Sequence, residues 1–330
     1  MLRRLLCGAF AALTLVSTSS ALASGPAPTA MQGGNGLLAV GGGVRYVALP
    51  AEANTVLAAV DRHTGRIARS AVLEGSWGIP VVTVGGATGG LSADGRTLIL
   101  AEASPQGEPL RKQSTFLVIE PSTLQLMAFV QLRGDFAYDA LSPDGRVLYL
   151  IEHMSVNDLS RYVVRAYDLD RQALLPQAIA DKTQRGWVMA GYPISRLAGP
   201  GGRWVYTLYT RGGGYPFVHA LDTVNGVAHC IGVPWHGDQS GLAGLRLSLR
   251  DGGGTFALDR RDGSRFLAVD TRTFATSHPA SETRSWLRWW VVLIGAVGLA
   301  LLLAAAVRRR ALLRAARRLR TRGAVPAHGA

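Results

Sequence analysis

The residues best suited to metal chemistry lie in the last third of the 330-residue chain. His229, Cys230, His236 and Asp238 fall within ten positions, beside Trp235. Imidazole, thiolate and carboxylate groups are the usual zinc ligands, but these intervals match no known ligand signature. His229 and Cys230 are also neighbours in a strand-like run, so their side chains would point to opposite faces. The sequence therefore predicts no metal site, and His229, His236 and Asp238 are its weak candidates.

Carboxylates that could act as general acid and base occur as two close pairs, Asp135 with Asp139 and Asp168 with Asp170. Nothing in either spacing separates the pair from ordinary loop residues. The chain has no Gly-x-Ser-x-Gly elbow, no phosphate-binding loop and no Cys-x-x-Cys pair. The sequence therefore predicts no catalytic residue and no cofactor, and it favours a protein that is not an enzyme.

The elements that would position these residues belong to a repeat. Residues 91–102 (LSADGRTLILAE) match residues 141–152 (LSPDGRVLYLIE) at eight of twelve positions, with an offset of 50. Weaker copies begin at Gly41, Ala198 and Arg250. Each copy precedes an apolar alternation that ends in an acidic residue, at Asp61, Glu120, Asp168, Asp222 and Asp270. The mean spacing of these acidic residues is about 52.

One repeat unit has the chemistry of antiparallel strands. Asp-Gly or Gly-Gly forms a tight turn, because glycine accepts positive φ, and the alternation that follows suits a half-buried strand. We expect the repeated carboxylates to accept backbone N–H groups in the turns. Periods of roughly 40 to 50 residues with this content are typical of propeller blades. The sequence therefore predicts an all-β fold, a β-propeller of about five blades of ~50 residues over residues 37–278.

The motif Ser-Pro-Asp-Gly-Arg-x-Leu-Tyr at residues 142–149, followed by a strand that ends at Asp168, resembles the YVTN and WD40-like β-propeller repeats of bacterial surface and periplasmic proteins. The resemblance covers most of residues 37–278. It implies a propeller architecture and says little about function. The chain departs from the family in its longer blades, with extra residues near 76–90 and 183–195. Five copies are visible, so the ring has five blades or contains one further, degenerate blade.

Three tryptophans, Trp77, Trp187 and Trp235, fall in the connections between repeats. Such connections line the faces of a propeller. Two interpretations are open: the three indoles form an aromatic binding patch, or they cap the core between blades.

The net charge of +13 suggests a nucleic-acid partner, but the distribution of charge argues against one. All 22 acidic residues lie between Glu52 and Glu282, and residues 24–285 carry 24 Lys or Arg, so this part is nearly neutral. The excess of arginine lies at the two ends of the chain. Such ends are typical of membrane topology signals, and no nucleic-acid binding is predicted.

Residues 1–23 have the three parts of a secretory signal peptide: Arg3 and Arg4, an apolar run over residues 5–16, and an Ala-Leu-Ala cleavage site at 21–23. Residues 24–36 are predicted to be a flexible lead-in. Removal of the signal would remove Cys7 and leave Cys230 alone, so no intrachain disulfide is predicted.

Residues 289–307 contain no charge over 19 positions and as a helix would span roughly 28 Å. The flanking residues suit the two interfaces of a bilayer, with aromatic rings at one end and arginines at the other: Trp286, Trp289, Trp290, Arg308, Arg309 and Arg310. The sequence predicts a single-pass plasma-membrane protein with a stalk at 279–288 and its N-terminal domain extracytoplasmic. The Arg-rich tail, 308–330, would be cytoplasmic and bind anionic inner-leaflet lipid.

Three functions are open. The first is a binding or scaffolding module for a protein or another envelope ligand. The second is a propeller-type hydrolase or lactonase with an acidic site in the central channel, which would require several Asp, Glu or His side chains to converge there. The third is signalling through a partner of the short tail.

Overall fold

The computed structural model describes residues 30–103, 110–155, 160–183, 189–210 and 215–278, together with seven helical residues between 293 and 309. Within these ranges the chain forms five antiparallel sheets, numbered here as blades 1 to 5 in chain order. Apart from one added strand, each blade is a continuous piece of chain in which consecutive strands pair with each other.

Blades 1 and 2 end in long outer strands. The described part begins with β1 (Ala30–Met31). Blade 1 consists of β2 (Leu37–Leu38), β3 (Val44–Ala51), β4 (Asn54–Asp61) and β5 (Ile67–Glu74). Blade 2 consists of β6 (Trp77–Pro80), β7 (Leu98–Glu102), β8 (Gln113–Glu120) and β9 (Gln125–Arg133), and β1 pairs with β6.

Blades 3 and 5 end in outer strands of two residues. Blade 3 consists of β10 (Phe136–Leu141), β11 (Val147–His153), β12 (Arg161–Asp168) and β13 (Ala173–Leu174), and β14 (Met189–Ala190) also pairs with β12. Blade 4 consists of β15 (Pro193–Ala198), β16 (Trp204–Tyr209), β17 (Phe217–Asp222) and β18 (Val227–Gly232). A short helix, α1 (Gln239–Ala243), precedes blade 5, which consists of β19 (Arg246–Arg250), β20 (Thr255–Asp259), β21 (Arg265–Asp270) and β22 (Thr276–Ser277).

The inner hairpin turns confirm the predicted role of the repeated Asp-Gly. In blade 2 the Ser92 hydroxyl donates to the carboxylate of Asp94 at 2.6 Å and accepts the N–H of Thr97 at 3.0 Å. The corresponding bonds of Ser142 in blade 3 are 2.6 and 2.9 Å long. Gly95 stands at φ 73°, a conformation that disfavours a side chain. The two best copies of the repeat therefore build the same turn.

The outer hairpin turns confirm the role of the second repeated carboxylate. Asp61 accepts the backbone N–H groups of His63 and Thr64, and Asp270 accepts those of Arg272 and Thr273, at 2.8–2.9 Å. These bonds hold the pKa of both carboxyls below the usual range. Four positions after each repeated acidic residue, φ lies between 53° and 69°, at Gly65, Leu124, Gln172, Gly226 and Phe274.

Packing between blades follows the chain. Each of four clusters of buried apolar side chains joins two consecutive blades, and the clusters include Leu57 (blades 1 and 2), Phe116 (2 and 3), Tyr209 (3 and 4) and Phe256 (4 and 5). No such cluster of described residues joins blade 5 to blade 1. Four-stranded antiparallel sheets packed face to face in sequence order are the architecture of a β-propeller, here with five blades.

The extra residues predicted near 76–90 cross the middle of the molecule. Val84 donates its N–H to the carbonyl of Pro193 in blade 4 at 2.9 Å, and the Thr88 hydroxyl donates to the carbonyl of Gly36 beside blade 1 at 2.9 Å. Position 89 requires glycine, because a Cβ there would clash with the ring of Tyr138 at 2.8 Å. This segment therefore ties three blades together at their inner ends.

The N-terminal lead-in is shorter than the sequence suggests, because residues 30–31 form β1. A Cβ at Gly78 would come within 2.8 Å of the backbone of Met31, so the glycine in β6 makes room for this added strand. The signal peptide, 1–23, lies outside the described residues.

The predicted membrane span lies largely outside the described residues, as do Trp286, Trp289, Trp290 and Arg310. Within it, residues 293–294 and 296–298 are helical, and so are Arg308 and Arg309 beyond it. No helix in the described part of the chain is long and apolar enough to cross a bilayer.

Candidate binding site in the central channel

A pocket of about 400 Å³ opens where the inner ends of blades 1 to 4 meet. Its walls come from the inner strands and inner turns of these blades, at residues 37–40, 82, 87–93, 138, 140–141, 196–198, 202 and 205. Most of these residues are apolar or glycine, and Arg196 is the one charged residue among them. Concave, mainly apolar pockets with few polar groups are typical of ligand-binding sites.

The charge of Arg196 is paired within the wall. Its Nη1 donates to Oδ1 of Asp139 at 2.8 Å and lies 3.2 Å from the Thr207 hydroxyl, and its Nη2 donates to the Asp139 carbonyl. Burial disfavours the charged guanidinium, but the Asp139 carboxylate outweighs burial and raises the pKa of Arg196 above its usual value. The guanidinium is therefore held as a fixed cation between blades 3 and 4.

The acidic residues do not converge on this pocket. No Asp, Glu or His is among the described residues that line it. Of the two predicted close pairs, Asp168 caps an outer turn by accepting the N–H of Arg171, and Asp170 faces Arg146 at 3.6 Å. Asp168 and Asp170 thus lie at an outer turn and in an ion pair, and neither lines the pocket.

The weak metal candidates are separate in the structure. The ring of His229 packs on Phe274, with centroids 4.8 Å apart, and the ring of His236 lies 6.1 Å from that of Tyr215. Asp238 caps α1 by accepting the N–H of Gly241 at 2.7 Å. Among the described residues, no group of three His, Cys, Asp or Glu side chains is placed to hold a metal ion.

The tryptophans do not form one patch in the described residues. Trp77 is 7% exposed and packs between blades 1 and 2, donating its indole N–H to the carbonyl of Glu74 at 2.5 Å. Trp235 is half-buried against Phe266 and donates to the carbonyl of Asp238 at 3.0 Å. Trp187 lies outside the described residues. The packing of Trp77 matches the alternative in which it caps the core.

One charged cluster was not foreseen from the sequence. Asp135, which follows β9, accepts from Nε of Arg111 at 2.8 Å and lies 3.3 Å from Nδ1 of His153 at the end of β11. Burial raises the pKa of the Asp135 carboxyl, but His153 and Arg111 outweigh it and lower the pKa overall. The three residues are 18 and 24 positions apart and fall on no repeat position, so no local pattern brings them together.

A second unforeseen feature is the polar interface between blades 3 and 4. Burial lowers the pKa of His219 to about 4, so the imidazole is neutral at physiological pH. Tyr162 and Tyr209 lie against each other with ring centroids 5.6 Å apart. Burial, with Asp181 nearby, raises the pKa of the Cys230 thiol, and Asp181 accepts the Cys230 N–H at 2.9 Å. Cys230 is therefore held as an unreactive thiol.

Comparison with known proteins finds only distant structural similarities. No family model and no curated protein matches the chain. Solved structures that align with it include the β-propeller domain of Myceliophteria thermophila Cps50 (Swd1), at 10% identity and TM-score 0.43 over 77% of this chain and 70% of that one. An oligogalacturonate lyase in complex with manganese aligns at 11% identity and TM-score 0.46, over 76% of this chain and 65% of the lyase. A putative TolB from Agrobacterium tumefaciens aligns at 15% identity and TM-score 0.39, over 77% of this chain and 79% of that one. The β-propeller fold of the chain follows from its five antiparallel sheets, and these distant similarities assign it no activity.

Proposed function

We propose that this chain is a non-enzymatic binding module, a β-propeller displayed outside the plasma membrane and anchored by a helix at residues 289–307. The observation that carries the proposal is the central pocket. Its walls are mainly apolar, and its one charged lining residue, Arg196, is already paired with Asp139. Such a pocket suits the apolar side chains of a protein or another envelope ligand.

The pocket does not favour hydrolysis. A hydrolase needs a general base, a bound metal or a nucleophile within reach of one bound substrate. Asp139, the carboxylate that pairs with Arg196, is 2% exposed and does not line the pocket. The binding function is therefore preferred to the hydrolase or lactonase alternative.

The proposed anchor is supported by the side chains of its helical residues. Leu293, Ile294 and Val297 are 54, 68 and 55% exposed, and nothing in the described chain covers them. Exposed apolar residues on a helix need a partner, and the hydrocarbon of a bilayer provides one. The Arg-rich tail, 308–330, would then lie on the anionic inner leaflet, where it could also reach a signalling partner.

The binding function can be tested by photo-crosslinking in intact cells. Val40 is 60% exposed at the rim of the pocket, whereas Glu52 is exposed at the opposite end of β3. A photoreactive amino acid at position 40 should give a discrete adduct with an envelope component, and the same residue at position 52 should not. Absence of an adduct at position 40 would contradict the proposal.

The topology can be tested by reporter fusions. Alkaline phosphatase, which folds only outside the cytoplasm, should be active when fused near Ser281 and inactive when fused after Ala330. Activity of the Ala330 fusion would rule out a cytoplasmic tail and with it the lipid and signalling roles of residues 308–330.

A further inference from the structure

The two ends of the propeller can be told apart by their turns. The central pocket opens at the end that carries the inner hairpin turns. A Cβ at Gly202 would lie 2.7 Å from Ala93, and one at Gly253 would lie 2.5 Å from Pro200, so the inner turns of blades 2, 4 and 5 meet there. Because the strands are antiparallel, the turn between β20 and β21, residues 260–264, lies at the opposite end of the propeller, here called the exit end.

The chain leaves the propeller at the exit end. The last strand, β22, is antiparallel to β21 and therefore runs toward that end. The ring of His278 lies 6.1 Å from the ring of Phe266, near the start of β21. Residues 279–288 separate His278 from the proposed anchor, and an extended chain covers at most 3.6 Å per residue, so residue 289 lies no more than roughly 40 Å from His278. The proposed anchor therefore holds the exit end close to the bilayer.

Exposed arginines cluster at the exit end of blade 5. Arg260 and Arg261 follow β20 and, with Trp235, line a cleft of about 440 Å³. Both arginines are exposed, and neither forms an ion pair with a carboxylate of the described residues. Arg246 and Arg265, the first residues of β19 and β21, are also exposed. Four arginines thus lie at one end of one blade.

The two aspartates of the cleft bind local donors. Asp238 accepts the N–H of Gly241 at 2.7 Å. Asp262 accepts the N–H of Ser264 at 2.9 Å and its hydroxyl at 2.7 Å. Their two charges balance only two of the four arginines, so the exit end of blade 5 stays positive.

Aromatic rings flank these arginines. Tyr215 is 63% exposed, and its ring lies 6.1 Å from that of His236, which follows the half-buried Trp235. Tyrosine and tryptophan favour the headgroup level of a bilayer. The exit end of blade 1 is different, because its exposed charges are the carboxylates of Glu52 and Glu74. Positive charge and aromatic rings therefore collect at the blade from which the chain leaves.

We propose that the exit end of blade 5 docks on the outer surface of the membrane. Arg260 and Arg261 contact anionic phospholipid headgroups, and Trp235 and Tyr215 lie at the headgroup level. The docking rests on the proposed anchor, residues 289–307, and adds a second contact between the chain and the bilayer. Since the central pocket opens at the other end of the propeller, docking holds the pocket facing away from the membrane.

The short connection to the anchor favours a membrane over a soluble anion. A tethered surface is present at a high effective concentration, so a weak attraction for each headgroup is enough to hold the docked state. Arginines near an anionic surface add their attractions, and salt screens them. The flanking aromatic rings also suit a headgroup layer, whereas a free phosphate ion makes no use of them.

The docking can be tested with the full-length chain in vesicles of phosphatidylcholine, with and without phosphatidylglycerol. A fluorophore on His236→Cys is quenched by nitroxide-labelled headgroups when the exit end is docked. We expect strong quenching with phosphatidylglycerol and little without it. Val224→Cys is the matched control, since Val224 is 58% exposed in the outer turn of blade 4 at the pocket end, and it should stay unquenched in both. The parent, with its unreactive Cys230, is the control for labelling.

Charge reversal tests the role of the arginines. Arg260→Glu combined with Arg261→Glu should lower the ratio of docked to undocked molecules at least about tenfold. Arg272→Glu, at an exposed residue at the pocket end of blade 5, should leave the ratio unchanged. Arg261→Glu alone keeps the test valid if the loss of the contact between Arg260 and the Phe266 ring disturbs the blade. Equal quenching in the two kinds of vesicle, or equal effects at positions 261 and 272, would overturn the docking.

Flotation of the same vesicles in roughly 1 M salt, where the screening length is about 3 Å, separates the docking from the anchor. A chain with an inserted anchor should float with both kinds of vesicle, while the quenching at position 236 is lost. A chain that does not float contradicts the anchor and the docking together. A chain that floats, but shows no quenching at position 236 at low salt, contradicts the docking alone.

Discussion

The interface between blades 1 and 2 and the interface between blades 3 and 4 occupy corresponding places but have different chemistry. The first is filled by aliphatic side chains such as Leu57, Ile79 and Leu117, each at most 1% exposed. The second contains the buried Asp139, the half-buried Arg196 that pairs with it, and the buried, neutral His219. The apolar interface depends on volume, whereas the polar one depends on the presence and protonation of particular partners.

Corresponding repeats can therefore carry different tasks. A buried ion pair is weak evidence for stability, because removing the charges from water offsets much of their attraction. Arg196, one partner of this pair, lines the central pocket, whereas the described residues of the apolar interface contain no ion pair. We infer that the polar interface fixes the shape of the pocket, and that it tolerates substitutions less well than the apolar interface does.

The largest expected effect comes from breaking the ion pair. Arg196→Met leaves the Asp139 carboxylate buried without its cation, and we expect a loss of about 3–5 kcal/mol in the free energy of unfolding. Adding Asp139→Asn should recover much of that loss. Chemical denaturation of a fragment spanning residues 30–278 measures both. Equal losses in the single and double variants would show that the pair is not the cause.

A smaller loss is expected in the apolar interface. Leu57 faces blade 2 and is fully buried, whereas its neighbour on β4, Val56, is half-buried on the opposite face. We expect Leu57→Ala to cost about 3 kcal/mol and Val56→Ala about 1 kcal/mol or less. Similar costs in the same denaturation experiment would mean that the face of blade 1 turned away from blade 2 is packed as tightly as the interface.

The next largest effect is a difference between the two interfaces in how the free energy of unfolding depends on pH. His219 has a folded-state pKa of about 4, below the value of about 6.5 in an unfolded chain. Between these values the unfolded state binds a proton that the folded state does not, so stability is present above pH 6.5 and falls as pH falls towards 4. From pH 6.5 to 5 we expect a loss of about 1.5 kcal/mol.

The matched variant is His219→Gln, which should lack that slope whatever its stability at pH 7. Leu57→Ala should keep the slope, because no histidine or carboxylate is among the buried residues described for blades 1 and 2. Denaturation curves at several pH values give the slopes directly. An unchanged slope in His219→Gln would assign the pH dependence to other groups.

The smallest effect concerns a turn geometry that both pairs of blades share. Gln172 in blade 3 stands at φ 53° and is exposed, whereas the equivalent residue in blade 1 is Gly65 at φ 69°. Replacing Gln172 with Gly relieves left-handed strain, and we expect a gain of about 0.5–1 kcal/mol. Gly65→Ala should lose about as much. Melting temperatures of the two variants should therefore move in opposite directions.

The sequence predicts the blades well because their determinants are local. Ser-x-Asp-Gly and the acidic turn residues act within five or six positions, and strand alternation is a property of neighbours. The channel is different, since Asp139 and Arg196 are 57 residues apart and neither belongs to the repeat. In the sequence His219 is an ordinary strand residue, and its burial becomes evident only in the structure, where blades 3 and 4 pack together. Contacts that depend on how two blades meet leave no local pattern.

The construction of each blade from one continuous piece of chain has an evolutionary consequence. Apart from β1, which joins the sheet of blade 2, the described strands of each blade follow one another along the chain, so the boundaries of blades coincide with boundaries along the chain. Duplication or deletion of about 50 residues, cut in the connection between two blades, would add or remove one whole blade. In a propeller whose last sheet includes a strand from the opposite end of the chain, duplication or deletion near either end would disrupt that shared sheet. This gene can therefore change its number of blades in single steps.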